Sequence, residues 1–133
     1  PIVLSAAPDP KETALVAAIK ERTGAVTLDF SGQLSLRELA ALTARARLFI
    51  GVDSAPMHIA AAMGTPTVAL FGPSGDLEWG PWQVAHRIVA SDTHACRPCG
   101  QDGCGGSKVS DCLVTLPVQK VFEAALALLG APA

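Results

Sequence analysis

The chain has 133 residues, with 10 Lys and Arg against 12 Asp and Glu for a formal charge of −2. Half of the residues are hydrophobic and 17% are charged, enough for one core and a composition that excludes a disordered chain, a coiled-coil rod and a polyanion-binding protein; nucleic acid is not an expected partner. Tyr is absent, which argues against an aromatic stacking platform, and no apolar run reaches the roughly 18–20 residues that cross a bilayer.

In chain order, Ile2 to Ala7 reads as a strand, Pro8-Asp9-Pro10 as a turn, and Leu15, Val16 and Ile19 as the apolar face of a helix ending near Gly24. The unit then repeats. Ala25 to Phe30 is β-rich, and Ser35 caps a segment whose stripe is Leu36, Leu39, Ala40 and Leu42. Arg47 to Val52 is a third strand, Pro56 to Met63 a short helix, Thr67 to Phe71 a fourth strand, and Ile88-Val89-Ala90 a candidate fifth. Beyond residue 91 the pattern gives way to a Cys- and Gly-rich loop over residues 94–113, and Val118 to Leu129 reads as a closing amphipathic helix. Alternating short strands and helices joined by turns of a few residues predict an α/β fold, a Rossmann-like three-layer α/β/α parallel sheet with right-handed crossovers. The start at Pro1, already strand-like, reads as an excised domain.

Open α/β sheets bind ligands beyond the carboxyl ends of their strands, and two such ends are informative. After the third strand come Asp53, Ser54, Ala55, Pro56, Met57 and His58. Pro56 is pre-set for a first helical turn, and a helix start there offers unpaired N–H groups to a phosphate or hydroxyl-rich ligand, with His58 in the same turn. Asp53 would accept hydrogen bonds from sugar hydroxyls. Equally, Asp53 and Ser54 are suited simply to cap the helix while His58 is a satisfied side chain. After the fourth strand, Gly72-Pro73-Ser74-Gly75-Asp76 is a Gly-rich turn that would admit a phosphate close to the backbone at Gly72 and Ser74.

Asp53-Ser54-Ala55-Pro56-Met57-His58-Ile59-Ala60-Ala61-Ala62, followed by Gly64-Thr65-Pro66 and Phe71-Gly72-Pro73, resembles the bacterial ADP-heptose:lipopolysaccharide heptosyltransferases over most of the chain. The resemblance implies part of the C-terminal half of a two-domain GT-B fold, with residues 1–133 forming a single nucleotide-sugar-binding domain. It further implies an inverting transfer of heptose from ADP-heptose to the lipopolysaccharide inner core, in the cytoplasm at the inner face of the inner membrane, with peripheral membrane association and no cofactor required for catalysis. Asp53, Ser54 and Ala55 would line the diphosphate–heptose pocket, with His58 beside them. Leu34 matches a position that packs on the adenine, and Glu12 an acidic nucleotide contact; core packing and a solvated helix face are the competing readings of these two. The family usually carries Gly where this chain has Ala55. The resemblance assigns no catalytic residue to these residues, the general base and the acceptor site being expected in an N-terminal domain, so the isolated fragment is expected to be inactive. It also places a phosphate-binding βα unit ahead of Pro1, whose loss would leave an unpaired seam in the sheet. The alternatives are a transferase for another sugar nucleotide and a non-catalytic nucleotide- or zinc-binding module of the same fold.

All four cysteines, Cys96, Cys99, Cys104 and Cys112, fall in the Gly-rich loop. A structural zinc site, free thiols and disulfides are all open to them. Trp79 and Trp82 are placed either to stack on a sugar or to pack a loop onto the sheet. His86 and His94 read as surface or loop residues, while Arg97 and Lys108 read as loop charges able to attract a phosphate-bearing acceptor.

Overall fold

A computed structural model describes residues 1–130. They fold as parallel α/β structure in two compact units, Pro1–Leu39 and a second beginning at Ala40. The first unit holds β1 (Ile2–Leu4), α1 (Pro10–Arg22), β2 (Thr27–Asp29) and the start of α2 (Leu36–Thr43). β1 and β2 pair in parallel, Ile2 opposite Thr27 and Leu4 opposite Asp29. Asp9 begins α1: its Oδ1 accepts from the N–H groups of Lys11 and Glu12 at 2.9 and 3.1 Å, and Pro10 occupies the first turn. Ser35 begins α2 through three bonds exchanged with Glu38. Its Oγ accepts from Glu38 N–H at 3.3 Å, and Glu38 Oε2 accepts from the Ser35 N–H at 2.8 Å and hydroxyl at 2.7 Å. Of the face expected on α1 only Val16 is buried, Leu15 and Ile19 being exposed, because this unit provides no more than a two-stranded sheet to cover them.

The second unit contains β3 (Phe49–Val52), α3 (Ala55–Ala62), β4 (Thr67–Phe71), α4 (Asp76–Trp79), β5 (His86–Ala90), a 3₁₀ turn at Cys104–Gly106, α5 (Asp111–Val114) and α6 (Val118–Leu129). Its three strands are parallel in the order β3-β4-β5. β4 is central, and its successive side chains point to opposite faces. Ala69 and Phe71 meet Met57 of α3, with Phe49, Ile88 and Ala90 around them. Val68 faces the other way, with Val89 and Ala125 of α6, and Leu70 joins that cluster. His86 thus belongs to a strand and not to a loop.

The register is what positions the functional region. Val52 lies opposite Leu70 and Phe71 opposite Ala90, so the residues that follow the three strands, Asp53, Gly72 and Ser91, emerge along one carboxyl edge.

Candidate functional site

At the end of β3 the Asp53 N–H still bonds across to Leu70 O at 3.2 Å. The chain then turns into α3 through Ser54, which is extended at φ −162° and ψ 169°. Ser54 holds the cap position without a side-chain cap bond. Its hydroxyl instead donates back to Val52 O at 3.2 Å, while its carbonyl accepts from Met57 N–H at 3.0 Å and His58 N–H at 3.4 Å. The expected capping by the Ser54 side chain is therefore corrected: the extended backbone brings Oγ within reach of the strand's last carbonyl, and that bond replaces the cap. Among the described residues the Ser54 and Ala55 N–H groups have no partner, and Pro56 has none to offer.

Asp53 and His58 come together here. His58 Nε2 lies 3.6 Å from Asp53 Oδ1, the two side chains being 44% and 19% exposed. That is ion-pair range when the imidazole is protonated and longer than a hydrogen bond, so both heads retain capacity for a ligand. Ala55 is exposed at the helix start, with its methyl in ordinary helical backbone. The cluster thus offers two unpartnered N–H donors among the described residues, a carboxylate, a hydroxyl and an imidazole within six consecutive residues, a set suited to an anionic group carrying hydroxyls.

The Gly72 turn packs against α5. Gly72 is buried, and a Cβ there would lie 3.2 Å from Leu113 Cβ, so the missing side chain makes room for α5. Ser74, half-buried, makes no side-chain hydrogen bond among the described residues. What holds the turn is Arg97, whose side chain is only 10% exposed. Its Nε donates to Gly72 O at 2.6 Å, Nη1 to Ser91 O at 3.2 Å and Nη2 to Asp76 Oδ1 at 3.1 Å. The Gly100 N–H adds a bond to Pro73 O at 3.0 Å. Arg97 is thus a strut and not a solvated loop charge; a guanidinium reaching the Ser91 carbonyl six residues away and the Gly72 carbonyl and Asp76 carboxylate more than twenty residues away leaves no spacing signal in the sequence. Lys108 pairs with Asp102 and His94 Nδ1 with Ser91 Oγ at 2.6 Å. Trp79 and Trp82 are 58% and 76% exposed, so neither packs a loop onto the sheet.

Leu34 and Glu12 belong to the first unit. Leu34 is half-buried in the loop before Ser35, and Glu12 Oε2 accepts from Ala7 N–H at 2.9 Å, which ties the β1–α1 connection to the first turn of α1.

All four cysteines carry free thiols and line one cavity of about 460 Å³ together with His94 and Pro73. Cys112 is buried, and that burial raises its thiol above the usual range; nearby Arg97 opposes the rise and the three other cysteines add to it. Among the described residues no three His, Cys, Asp or Glu side chains stand close enough together to hold a metal ion.

Residues 1–109 match the family model described as glycosyltransferase family 9 (heptosyltransferase). The chain is 46% identical to lipopolysaccharide heptosyltransferase 3 of Escherichia coli over 83 residues, 61% of this chain and 24% of that protein. It is 30% identical to lipopolysaccharide heptosyltransferase 2 of E. coli K12 over 115 residues, 86% of this chain and 32% of that protein. The solved structure of E. coli ADP-heptose lps heptosyltransferase II superposes with a TM-score of 0.73 at 26% identity, covering 96% of this chain and 35% of that one. A glycosyl transferase family 9 structure from Veillonella parvula superposes with a TM-score of 0.70 at 28% identity, covering 96% of this chain and 36% of that one. The chain thus spans about a quarter to a third of the length of these relatives.

Proposed function

Because the chain belongs to glycosyltransferase family 9, the heptosyltransferases, we propose that it is the donor-binding part of an enzyme that transfers heptose from ADP-heptose to the inner core of lipopolysaccharide with inversion. The observation that carries this reading is the start of α3. Unpartnered Ser54 and Ala55 N–H groups, the Ser54 hydroxyl, the Asp53 carboxylate and the His58 imidazole lie together at the carboxyl edge of the sheet.

In an inverting transfer an acceptor oxygen attacks the anomeric carbon as the bond from that carbon to the diphosphate oxygen breaks on the opposite face. The acceptor proton passes to a general base, and ADP departs with the electron pair. Donors aimed at the departing diphosphate lower the barrier, because its negative charge grows as the bond breaks. The N–H groups at the α3 start and the His58 imidazole suit that task, and Asp53 suits the heptose hydroxyls. No general base is assigned within residues 1–130; in the two-domain arrangement proposed here the base and the lipopolysaccharide acceptor belong to the facing domain, with the reaction at the cytoplasmic face of the inner membrane. No helix among the described residues is long and apolar enough to cross a membrane.

Calorimetric titration of the chain with ADP and with ADP-heptose tests the reading. Saturable binding is expected, tighter for the heptose form, and UDP- or GDP-sugars should not compete. Asp53→Ala should weaken ADP-heptose binding about 10-fold or more, the worth of a hydrogen bond to a charged group, while leaving ADP nearly unchanged. Equal losses for both ligands would remove Asp53 from the sugar side, and failure of both to bind would overturn the pocket.

A further inference from the structure

We propose that the cavity lined by Cys96, Cys99, Cys104 and Cys112 is a covalent capture site for a small peptide disulfide, at which Cys104 makes the attack and retains one half of the ligand as a mixed disulfide. The four thiols are unpaired and line one cavity of about 460 Å³, within the roughly 300–1,000 Å³ of small-molecule sites. Capture by a single thiol requires neither that the four converge nor that the loop move. Bonds from Arg97 and Gly100 hold that loop to Gly72, Pro73 and Asp76, and a fixed loop presents a fixed nucleophile.

The surroundings set Cys104 apart from the other three. Cys112 is buried, and burial pushes its thiol above the usual range, so it supplies little of the thiolate that attacks a disulfide. Cys96 and Cys99 are exposed, with Arg97 and Pro98 as their neighbours in the chain. Cys104 is exposed as well, and it lies between Gly103 and the Gly105-Gly106 pair. At Gly105 and Gly106 no atom stands within 4 Å of where a Cβ would be, which leaves room for the line that the attacking, attacked and departing sulfurs must share. The residue is nevertheless held in place. Its N–H donates to Val109 O at 2.8 Å, its carbonyl accepts from Ser107 N–H at 3.1 Å, and Sγ itself accepts from Asp111 N–H at 3.4 Å.

The polar part of the lining selects the ligand. Gln101, Ser110 and His94 line the same cavity. Among the described residues the Gln101 amide and the Ser110 hydroxyl make no hydrogen bond, and His94 bonds through Nδ1 to Ser91 Oγ at 2.6 Å, which leaves Nε2. An amide, a hydroxyl and a ring nitrogen suit the amide and carboxylate groups of a short peptide. In the exchange Cys104 Sγ gives its proton to solvent and attacks one sulfur of the ligand. The new S–S bond forms as the ligand's own breaks, and the other half departs as a thiolate that takes up a proton. The Cys104 sulfur is oxidised, the departing half is reduced, and an added thiol reverses the step.

The decisive experiment is made without nucleotide, so its outcome is independent of the donor-binding reading. The reduced chain is treated with oxidised glutathione, the disulfide of a thiol-bearing tripeptide, and the adduct is located by intact mass and peptide mapping. One adduct per chain is expected, on Cys104, formed at least about 10 times faster than on Cys96 or Cys99 and released by a reductant. Cys104→Ser should abolish it, while Cys96→Ser and Cys99→Ser retain it; mapping of the wild-type chain decides the point even if a variant does not fold. Hydroxyethyl disulfide, which has no peptide groups, separates reactivity from recognition. The Gln101→Ala/Ser110→Ala variant should react about 3-fold more slowly with oxidised glutathione and at an unchanged rate with hydroxyethyl disulfide. No adduct, a first adduct on another cysteine, adducts spread evenly over the exposed thiols, an internal disulfide in place of an adduct, or the same ratio of the two reagents' rates in wild type and double variant would each overturn the proposal.

Discussion

Replacing Arg97 tests the strut that joins the Cys-rich loop to the end of β4. In Arg97→Ala three bonds disappear together, and their losses differ. Gly72 is buried, so its carbonyl cannot recover a water and bears the full cost of an unsatisfied acceptor, about 1–3 kcal/mol. Ser91 is half-buried and the Asp76 side chain is 32% exposed; water replaces much of what these two lose, for roughly another 1 kcal/mol together. The expected destabilisation is therefore about 3 kcal/mol. Arg97→Lys keeps the charge but has one head where three directions must be served, so it should recover only about 1 kcal/mol of that loss. Urea unfolding of wild type, both variants, Asp76→Asn and the Arg97→Ala/Asp76→Asn double variant gives these values and the coupling between the two side chains, expected near 1 kcal/mol. In native-state hydrogen exchange the Gly100 amide, bonded to Pro73 O, should lose protection in Arg97→Ala before the strands do. An Arg97→Ala chain within about 0.5 kcal/mol of wild type, the range of an ordinary surface substitution, would refute the strut.

Met57 is fully buried against Ala69 and Phe71; Met57→Ala should cost about 2–5 kcal/mol in chemical unfolding, and a loss under 1 kcal/mol would mean that α3 is not anchored by this contact. A Cβ on Gly51 would stand 2.7 Å from the Phe49 ring, so Gly51→Ala should cost about 1–3 kcal/mol by overpacking, with part regained in a Gly51→Ala/Phe49→Leu double variant. The Ser35 hydroxyl, with the Ser35 N–H, holds the Glu38 carboxyl below its usual range. A carboxylate depressed in the folded state contributes stability that is full above its unfolded value near 4.3 and fades as pH falls through its folded value. Thermal midpoints taken from pH 6 down to about 3 should therefore fall less steeply for Glu38→Gln than for wild type, and parallel curves would remove Glu38 from the acid response.

The sequence carries the alternation of strand and helix because parallel strands with helices on both faces read as short apolar runs, and β3 and β4 are of that kind. It also carries the α3 site, since strand end, Asp53, Pro56 and His58 are neighbours in the chain and the helix itself brings them together. It does not carry choices between equivalent local bonds. Ser54 was as able to cap α3 as to donate to Val52 O, and only the backbone angles decide. Nor does it show what stands beside a glycine: Gly72 reads as an opening, and Leu113 packs beside the position a Cβ would take. Arg97 is hidden for another reason: two of its three partners are backbone carbonyls, which are the same at every residue, and the third is a carboxylate 21 residues away. The exposure of Leu15 and Ile19 shows the limit of periodicity, which marks an apolar face but not the area available to cover it.

The two-sided packing of β4 has a consequence for how accurately the site edge is placed. A slip of one residue along this strand would send Ala69 and Phe71 into the space shaped for Val68 and Leu70, and would displace the following turn by about 3.3 Å, the rise of one strand residue. One face accepts a small and a large side chain, the other two of middling size, so the slipped arrangement fits neither. The mismatch works as a vernier: the volumes of four side chains packed against helices set where Gly72 comes to rest relative to Asp53, and the residues beyond the strand ends remain free to vary with what they bind.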